Sequence, residues 1–60
     1  MWKKVNVEID EGEEEGTKWY LGEIQTVRNG VCTISFDGFD ETHNIEVPED
    51  EIPSEDIIFV

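Results

Sequence analysis

The dipeptide Asn29-Gly30 is the feature that most limits how this chain can fold. It stands between two runs of β-forming residues, at positions 18–27 and 31–36. Asn followed by Gly accepts positive φ at both central positions of a type I′ turn, the tight turn whose twist matches that of the flanking strands. The sequence therefore predicts an antiparallel hairpin that turns at these two residues.

The pairing of the two hairpin strands follows from counting outward from the turn. Strict pairing suits the first three pairs, but it then places the polar Gln25 opposite the apolar Ile34. If Gln25 is an extra, bulged residue, Ile24 meets Ile34 and Gly22 meets Phe36. We therefore predict a β-bulge at Gln25 that bends this long strand, and open space over the Phe36 ring where Gly22 has no side chain. The predicted pairs are Arg28 with Val31, Val27 with Cys32, Thr26 with Thr33, Ile24 with Ile34, Glu23 with Ser35 and Gly22 with Phe36.

The rest of the chain carries shorter strand patterns separated by turn signals. From Val5 onward apolar and polar residues alternate, which is the period of a strand with one buried face. A 3₁₀ turn is expected at residues 53–56, with Ser54 as its cap. Five short strands, a bulged second strand and a 3₁₀ turn before the last strand predict an all-β, five-stranded SH3-like barrel that forms a single domain over residues 1–60. The three further strands are predicted at residues 2–9, 42–47 and 57–60.

The charge of the chain restricts its partners. Sixteen acidic residues against four basic ones give a net charge of −12, which disfavours direct binding to nucleic acid or anionic membranes and favours a basic peptide or protein. The same charge is also explained by the solubility of a small monomer. Acidic residues are densest at positions 10–16, which are predicted to form a mobile, solvated loop.

The single cysteine and the lack of long apolar runs indicate where such a chain works. Cys32 lies in an apolar stretch and is predicted to be a buried thiol in a reducing compartment, so the nucleus or the cytoplasm is expected. No run approaches the ~18 apolar residues of a membrane-spanning helix. The N-terminal alternation supplies no apolar core for a signal peptide.

Two motifs give the chain a resemblance to a known family. The first is Trp19-Tyr20-Leu21-Gly22-Glu23-Ile24, and the second is Cys32-Thr33-Ile34-Ser35-Phe36-Asp37-Gly38-Phe39-Asp40. They resemble the W-Y-x-G-x-I and hydrophobic-x-[FY]-x-G-[FY] signatures of Tudor domains. The first is similar to the Tudor domain of Polycomb-like proteins, and the second to the Tudor-like repeats of spindlin. Their order, separation and shared hairpin extend the resemblance over most of the chain.

The resemblance implies recognition of a methylated lysine or arginine by a cage of aromatic rings. The ligand is then a basic peptide, such as a histone tail or an arginine-rich segment. The ring positions that match the family are Tyr20, Phe36 and Phe39. Asp40 or Glu41 stands where the family often places a polar residue that contacts the cation.

The chain departs from the family at the end of its first strand. Many cage-bearing Tudor domains have an aromatic residue there, and the nearest counterpart here is Ile9. Trp19 is a candidate substitute, although alternation along a strand points it away from Tyr20. A cage of three rings is expected to hold its ligand more weakly than one of four.

Three of the four candidate rings also have a purely structural explanation. Phe36 and Phe39 suit ordinary core filling, and Trp19 suits a ring on the outside of the barrel or beneath the acidic loop. In that case the chain is a Tudor-like barrel without methyl-specific recognition. A further alternative is an acidic structural or inhibitory module, for example a nucleic-acid mimic that occupies a basic groove on another protein.

Patterns that carry catalytic or metal chemistry are weak in this sequence. His43 lies on the polar fourth strand without a nucleophile or a second histidine, and is interpreted as a surface residue. Asp37, Asp40 and Glu41 surround one turn, but their spacing does not match a calcium-binding loop. We expect a binding module and not an enzyme, with no catalytic residue, no cofactor and no metal.

Overall fold

The computed structural model describes residues 3–60, so the predicted start of the first strand at Trp2 lies outside the described residues. These residues form five antiparallel strands in one sheet, in the order β4-β3-β2-β1-β5, and contain no α-helix. Two single-turn 3₁₀ helices flank β4, at Glu41–His43 and Glu49–Glu51. The strands are β1 Lys3–Asp10, β2 Thr17–Arg28, β3 Val31–Phe36, β4 Ile45–Pro48 and β5 Ile57–Phe59.

The hairpin between β2 and β3 is confirmed in turn and in register. Asn29 and Gly30 have φ of 51° and 77°, as a type I′ turn requires. The register shifts between Ile24 and Thr26, which leaves Gln25 as the bulged residue, and all six predicted pairs are formed. The side-chain amide of Gln25 donates to Ser35 Oγ at 2.7 Å.

The twelve-residue β2 strand pairs with two neighbours. Residues 17–24 pair with β1 and residues 22–28 pair with β3, so the bulge follows the segment shared by both ladders. Gly22 lies in that shared segment, and a Cβ there would stand 2.7 Å from the Ser35 carbonyl oxygen and 2.9 Å from Ile34 Cγ2. The predicted open space over Phe36 is therefore wrong, because β3 fills it.

The core lies on one face of the sheet. Ile34 and Val5 are fully buried, and β1, β3 and β5 each contribute buried apolar side chains. Cys32 is also buried, as predicted, and this burial together with the charge of Glu49 raises the pKa of its thiol. The core cluster is Val5, Val7, Ile34, Phe36 and Ile57, and half-buried side chains pack around it at Ile9, Tyr20, Ile24, Ile45, Val47 and Ile52.

The region after β3 differs from the sequence prediction in two places. The fourth strand begins at Ile45 and not at residue 42, because Asp40 caps a 3₁₀ helix over Glu41–His43. A 3₁₀ helix does precede the last strand, but it lies at Glu49–Glu51. Residues 53–56 form bends instead, and the Ser54 amide donates to the Ile57 carbonyl.

The two edge strands of the sheet are β4 and β5. Within residues 3–60 no ladder joins them, so the sheet is not closed by backbone hydrogen bonds. None of the helices in this part of the chain has the length and apolar character needed to cross a membrane.

The close approach of β3 to Gly22 makes a specific stability prediction. Gly22→Ala is expected to lower the free energy of unfolding by about 2–3 kcal/mol, because the added methyl group meets a backbone oxygen that cannot move away independently. Urea unfolding followed by circular dichroism measures this change.

The matched control for that experiment is Gly30→Asn. Gly30 has open space around it, and Asn tolerates positive φ, so the loss is expected to stay below about 1 kcal/mol. Equal losses for the two variants would show that the close approach at Gly22 is unimportant.

Candidate functional site

An open pocket of about 210 Å³ lies at one end of the sheet. Because neighbouring strands are antiparallel, β1 and β3 end there while β2 and β4 begin there. Each of these four strands contributes one side chain from the face that carries the core, and the connections contribute three more. The lining residues are Ile9, Glu11, Tyr20, Phe36, Phe39, His43 and Ile45.

Three aromatic rings and an imidazole follow one another along the pocket wall. The Tyr20 ring centroid lies 6.3 Å from that of Phe36 and 5.8 Å from that of Phe39, with interplanar angles of 77° and 82°. The His43 ring stands 5.0 Å from Phe39 at an angle of 57°. Edge-to-face contacts of this kind are a favoured arrangement for aromatic pairs. The ring planes are therefore steeply inclined to one another and do not stack face to face.

Glu11 supplies the carboxylate of the pocket. Tyr20 Oη donates a hydrogen bond to Glu11 Oε1, and Lys18 Nζ lies 3.8 Å from Glu11 Oε2. This hydrogen bond is the main cause that raises the pKa of Tyr20 above 10.0, with desolvation and the charges of Glu11 and Glu15 adding to it. Tyr20 is therefore a neutral phenol at physiological pH. An ionised carboxylate has about four lone-pair sites, so Glu11 keeps acceptor capacity for a ligand.

Asp40 does not line the pocket, but it caps the 3₁₀ helix that carries the lining residue His43. Its carboxylate accepts from the Thr42 amide at 3.1 Å and from the Thr42 hydroxyl, and it lies 3.1 Å from His43 Nδ1. These contacts, with that of the Thr42 hydroxyl largest, lower the pKa of Asp40 below 3.8. The capped 3₁₀ helix holds His43 against the Phe39 ring.

The structure brings together three of the six residues that the sequence singled out. Tyr20, Phe36 and Phe39 share the pocket, although Phe36 is 6 % exposed and also belongs to the core. Asp40 and Glu41 are exposed and do not line the pocket. Trp19 is on the opposite face of β2, as strand alternation predicts, and 48 % of its surface is exposed.

Two polar residues of the pocket were missed from the sequence. Glu11 was assigned to the solvated loop, but the β1–β2 ladder continues to Asp10 and Thr17, which places Glu11 directly after a strand. The amide of Glu11 donates to the carbonyl of Gly16 and closes this connection. His43 was assigned to a strand. The signal that identifies its position is the Asp40-Glu41-Thr42-His43 sequence, in which an Asp cap precedes a short helix.

Other cavities in the described part of the chain differ from this pocket in their lining. One, of about 280 Å³, lies at the opposite end of the sheet between Val27, Cys32 and Phe59, and another, of about 440 Å³, lies beside β5. Neither combines several aromatic rings with a carboxylate. In residues 3–60 no group of three or more histidine, cysteine or acidic side chains is arranged to hold a metal ion.

Comparison with known proteins adds no family to this description. No family model, no curated protein and no solved structure matches the chain.

The hydrogen bond between Tyr20 and Glu11 predicts how the phenol titrates. Tyr20 is the single tyrosine of the chain, so ultraviolet absorbance of the phenolate reports it alone. Its pKa is expected above 10.0, and Glu11→Gln is expected to lower it toward the usual value because the charged acceptor is lost. Because folding raises this pKa, the stabilising contribution is present below the unfolded pKa and is lost as pH rises through the folded one.

The control for the titration is Glu13→Gln, which removes an equal charge from the same loop at a residue that is not among the causes of the raised Tyr20 pKa. It is expected to change the pKa of Tyr20 less than Glu11→Gln does. An equal shift in both variants would mean that general charge and not the hydrogen bond controls the phenol.

Proposed function

We propose that this chain is a binding module that takes the methylated side chain of a lysine or arginine, presented by a basic peptide, into the pocket. The observation that carries the proposal is the convergence of Tyr20, Phe36 and Phe39 with the Glu11 carboxylate on one open cavity. A cavity of about 210 Å³ that is open on one side suits the end of a single side chain.

The aromatic walls favour a cation that carries methyl groups. A cation within about 6 Å of an aromatic face gains roughly 0.5–2 kcal/mol per ring, more when water is excluded. Methyl groups lower the cost of leaving water, because each replaces an N–H that water would otherwise bind. The apolar walls at Ile9 and Ile45 suit such methyl groups.

The charged and polar lining complements the rings. Glu11 takes the role that the sequence assigned to Asp40 or Glu41, because its carboxylate reaches the pocket. Ile9 occupies the position where the resemblance expects a fourth aromatic residue. The His43 ring, packed on Phe39, supplies a further wall on a different side.

The surface around the pocket favours a basic peptide. Of the four basic residues, Lys4 and Lys18 lie in ion pairs with acidic neighbours, and Lys3 lies 5.2 Å from the ring centroid of Phe59. Much of the negative charge is therefore left without a local partner. A net charge of −12 attracts the remaining lysines and arginines of a peptide and raises its rate of encounter.

The proposal includes a Tudor-like, SH3-like barrel and the absence of catalysis. Three features support the barrel: a bulged β2 shared by two ladders, a 3₁₀ helix before the last strand, and the nearness of the two edges. Val47 of β4 and Ile57 of β5 line one cavity, which supports a curled sheet whose two edges lie near each other. We infer a binding role and not an enzymatic one because the pocket pairs its carboxylate with aromatic walls, and its lining holds no serine, threonine, cysteine or lysine that a base could activate as a nucleophile.

The direct test is an NMR titration with a short lysine- and arginine-rich peptide in three forms: unmodified, trimethylated at one lysine, and dimethylated at one arginine. Resonances of Tyr20, Phe36 and Phe39 are expected to move, and a methylated form is expected to bind more tightly. Phe39→Ala is expected to weaken binding of that form about tenfold, because one wall of about 1.4 kcal/mol is lost.

Trp19→Thr is the matched control, since Trp19 and Phe39 are equally exposed, at 48 % and 47 %, and lie on different surfaces. It is expected to leave the affinity for the methylated peptide unchanged. The alternative, an acidic module that mimics nucleic acid, predicts binding that ignores methylation, falls steeply with salt and survives Phe39→Ala. That combination would overturn the reader function.

A further inference from the structure

The face of the sheet opposite the core carries an apolar patch that the pocket does not explain. Trp19 and Leu21 of β2 and Ile58 of β5 are 48 %, 40 % and 43 % exposed. We call these three residues the outer patch. Buried and half-buried side chains alternate from Val5 to Glu8 in β1, so the neighbours of the outer patch on that strand are the outward-facing, half-buried Asn6 and Glu8.

The register of the sheet places the three residues of the outer patch together. Leu21 lies opposite Asn6, and Asn6 lies opposite Ile58, so Leu21 and Ile58 are two strand spacings apart, or about 10 Å. Trp19 is two residues from Leu21 on the same face and lies opposite Glu8. The outer patch therefore consists of apolar side chains from β2 and β5 on either side of β1, with Asn6 between Leu21 and Ile58 and Glu8 beside Trp19.

Carboxylates surround the outer patch on two sides. On the side of Trp19, the amide of Glu8 donates to the carbonyl of Asp56 at 2.8 Å, which places these two acidic residues side by side. On the side of Leu21, the amide of Asp37 donates to the Leu21 carbonyl at 3.0 Å.

Among the described residues, Lys4 is the lysine of this face, and it is already paired with acidic side chains. Lys4 Nζ lies 3.2 Å from an Asp37 oxygen and 3.7 Å from a Glu23 oxygen. Four acidic residues, at positions 8, 23, 37 and 56, therefore stand around the outer patch with a single lysine among the described residues of this face.

We propose that the outer patch is a docking surface for a cationic amphipathic helix of another protein. Apolar side chains of the helix pack on Trp19, Leu21 and Ile58, while its lysines and arginines pair with the surrounding carboxylates. Residues three, four and seven apart on such a helix span about 5–10 Å along one side, which matches the spacing of the outer patch.

The negative charge of the chain disfavours three other partners at the outer patch. A second copy of the chain brings a further −12 charge to a face that is itself acidic, and anionic membranes and nucleic acid are repelled in the same way. The proposal does not depend on the function of the pocket, because Tyr20 points to the opposite face of β2 from Trp19 and Leu21.

The test uses a synthetic helix of leucine and lysine whose leucines lie on one side, and a shuffled peptide of the same composition. Amide resonances of β1, β2 and β5 around the outer patch are expected to shift with the amphipathic peptide. Trp19→Thr is expected to weaken its binding at least about tenfold, as the loss of a tryptophan anchor does. The shuffled peptide, which has equal charge, is expected to bind less tightly.

Matched variants separate the outer patch from general charge and from the pocket. Val27→Thr removes an apolar residue that is 50 % exposed outside both surfaces, and Phe39→Ala alters the pocket. Both are expected to bind the amphipathic peptide like the unchanged protein. Ile58→Thr, on a different strand, repeats the test if Trp19→Thr does not fold.

Four results would overturn the proposal. These are equal binding of the shuffled peptide, equal weakening by Val27→Thr and Trp19→Thr, binding to anionic phosphatidylglycerol vesicles that requires Trp19, and a dimer in sedimentation equilibrium that Trp19→Thr dissociates. The last two results would assign the outer patch to a membrane or to a second copy. Loss of methylated-peptide binding in Phe39→Ala tests the pocket alone and leaves this proposal standing.

Discussion

The pairing of β2 with two neighbours at once is the constraint on which the rest of the structure depends. Its first half bonds to β1 and its second half to β3, with the bulge at Gln25 beyond the segment that both ladders share. The missing side chain at Gly22 lets the β3 backbone come close enough for this double pairing. The pairing of Gly22 with Phe36 sets the Phe36 ring beside that of Tyr20, two residues away on the same face of β2, so the pocket is produced by the backbone geometry that builds the core. Phe36, which belongs to both, cannot be changed for binding without also changing stability.

Local chemistry explains which parts of the fold could be predicted from the sequence. The turn at Asn29-Gly30 and the bulge at Gln25 depend on φ preferences and on matching apolar residues across one hairpin, and both are visible in the sequence. The pocket was predictable only in part. Glu11 reaches it through a hydrogen bond to a residue nine positions away, and His43 reaches it because Asp40 caps a helix where a strand was expected. Such side-chain contacts produce no periodic pattern of apolar and polar residues in the sequence.

Two lysines of this acidic chain, Lys4 and Lys18, each lie between two acidic side chains. No charged side chain is buried among residues 3–60, so the core bears no cost of burying a charge. Lys4 joins Glu23 to Asp37, and Lys18 joins Glu11 to Glu15. Exposed ion pairs contribute only about 0–1 kcal/mol each, so they add little stability. They do offset part of the repulsion among acids beside the pocket, at Lys18, and on the opposite face, at Lys4.

The alternation of side chains along β2 has a consequence for how this chain can evolve. Trp19 and Tyr20 are adjacent in sequence, yet their side chains lie on opposite faces of the sheet. Inserting or deleting one residue between Gly12 and Gly16 is absorbed by the loop, whereas the same change between Tyr20 and Gln25 turns every preceding side chain of the strand over. The indole would then enter the cavity and the phenol would leave it. The spacing between Tyr20 and the bulge is therefore a fixed length that keeps the two surfaces from being exchanged.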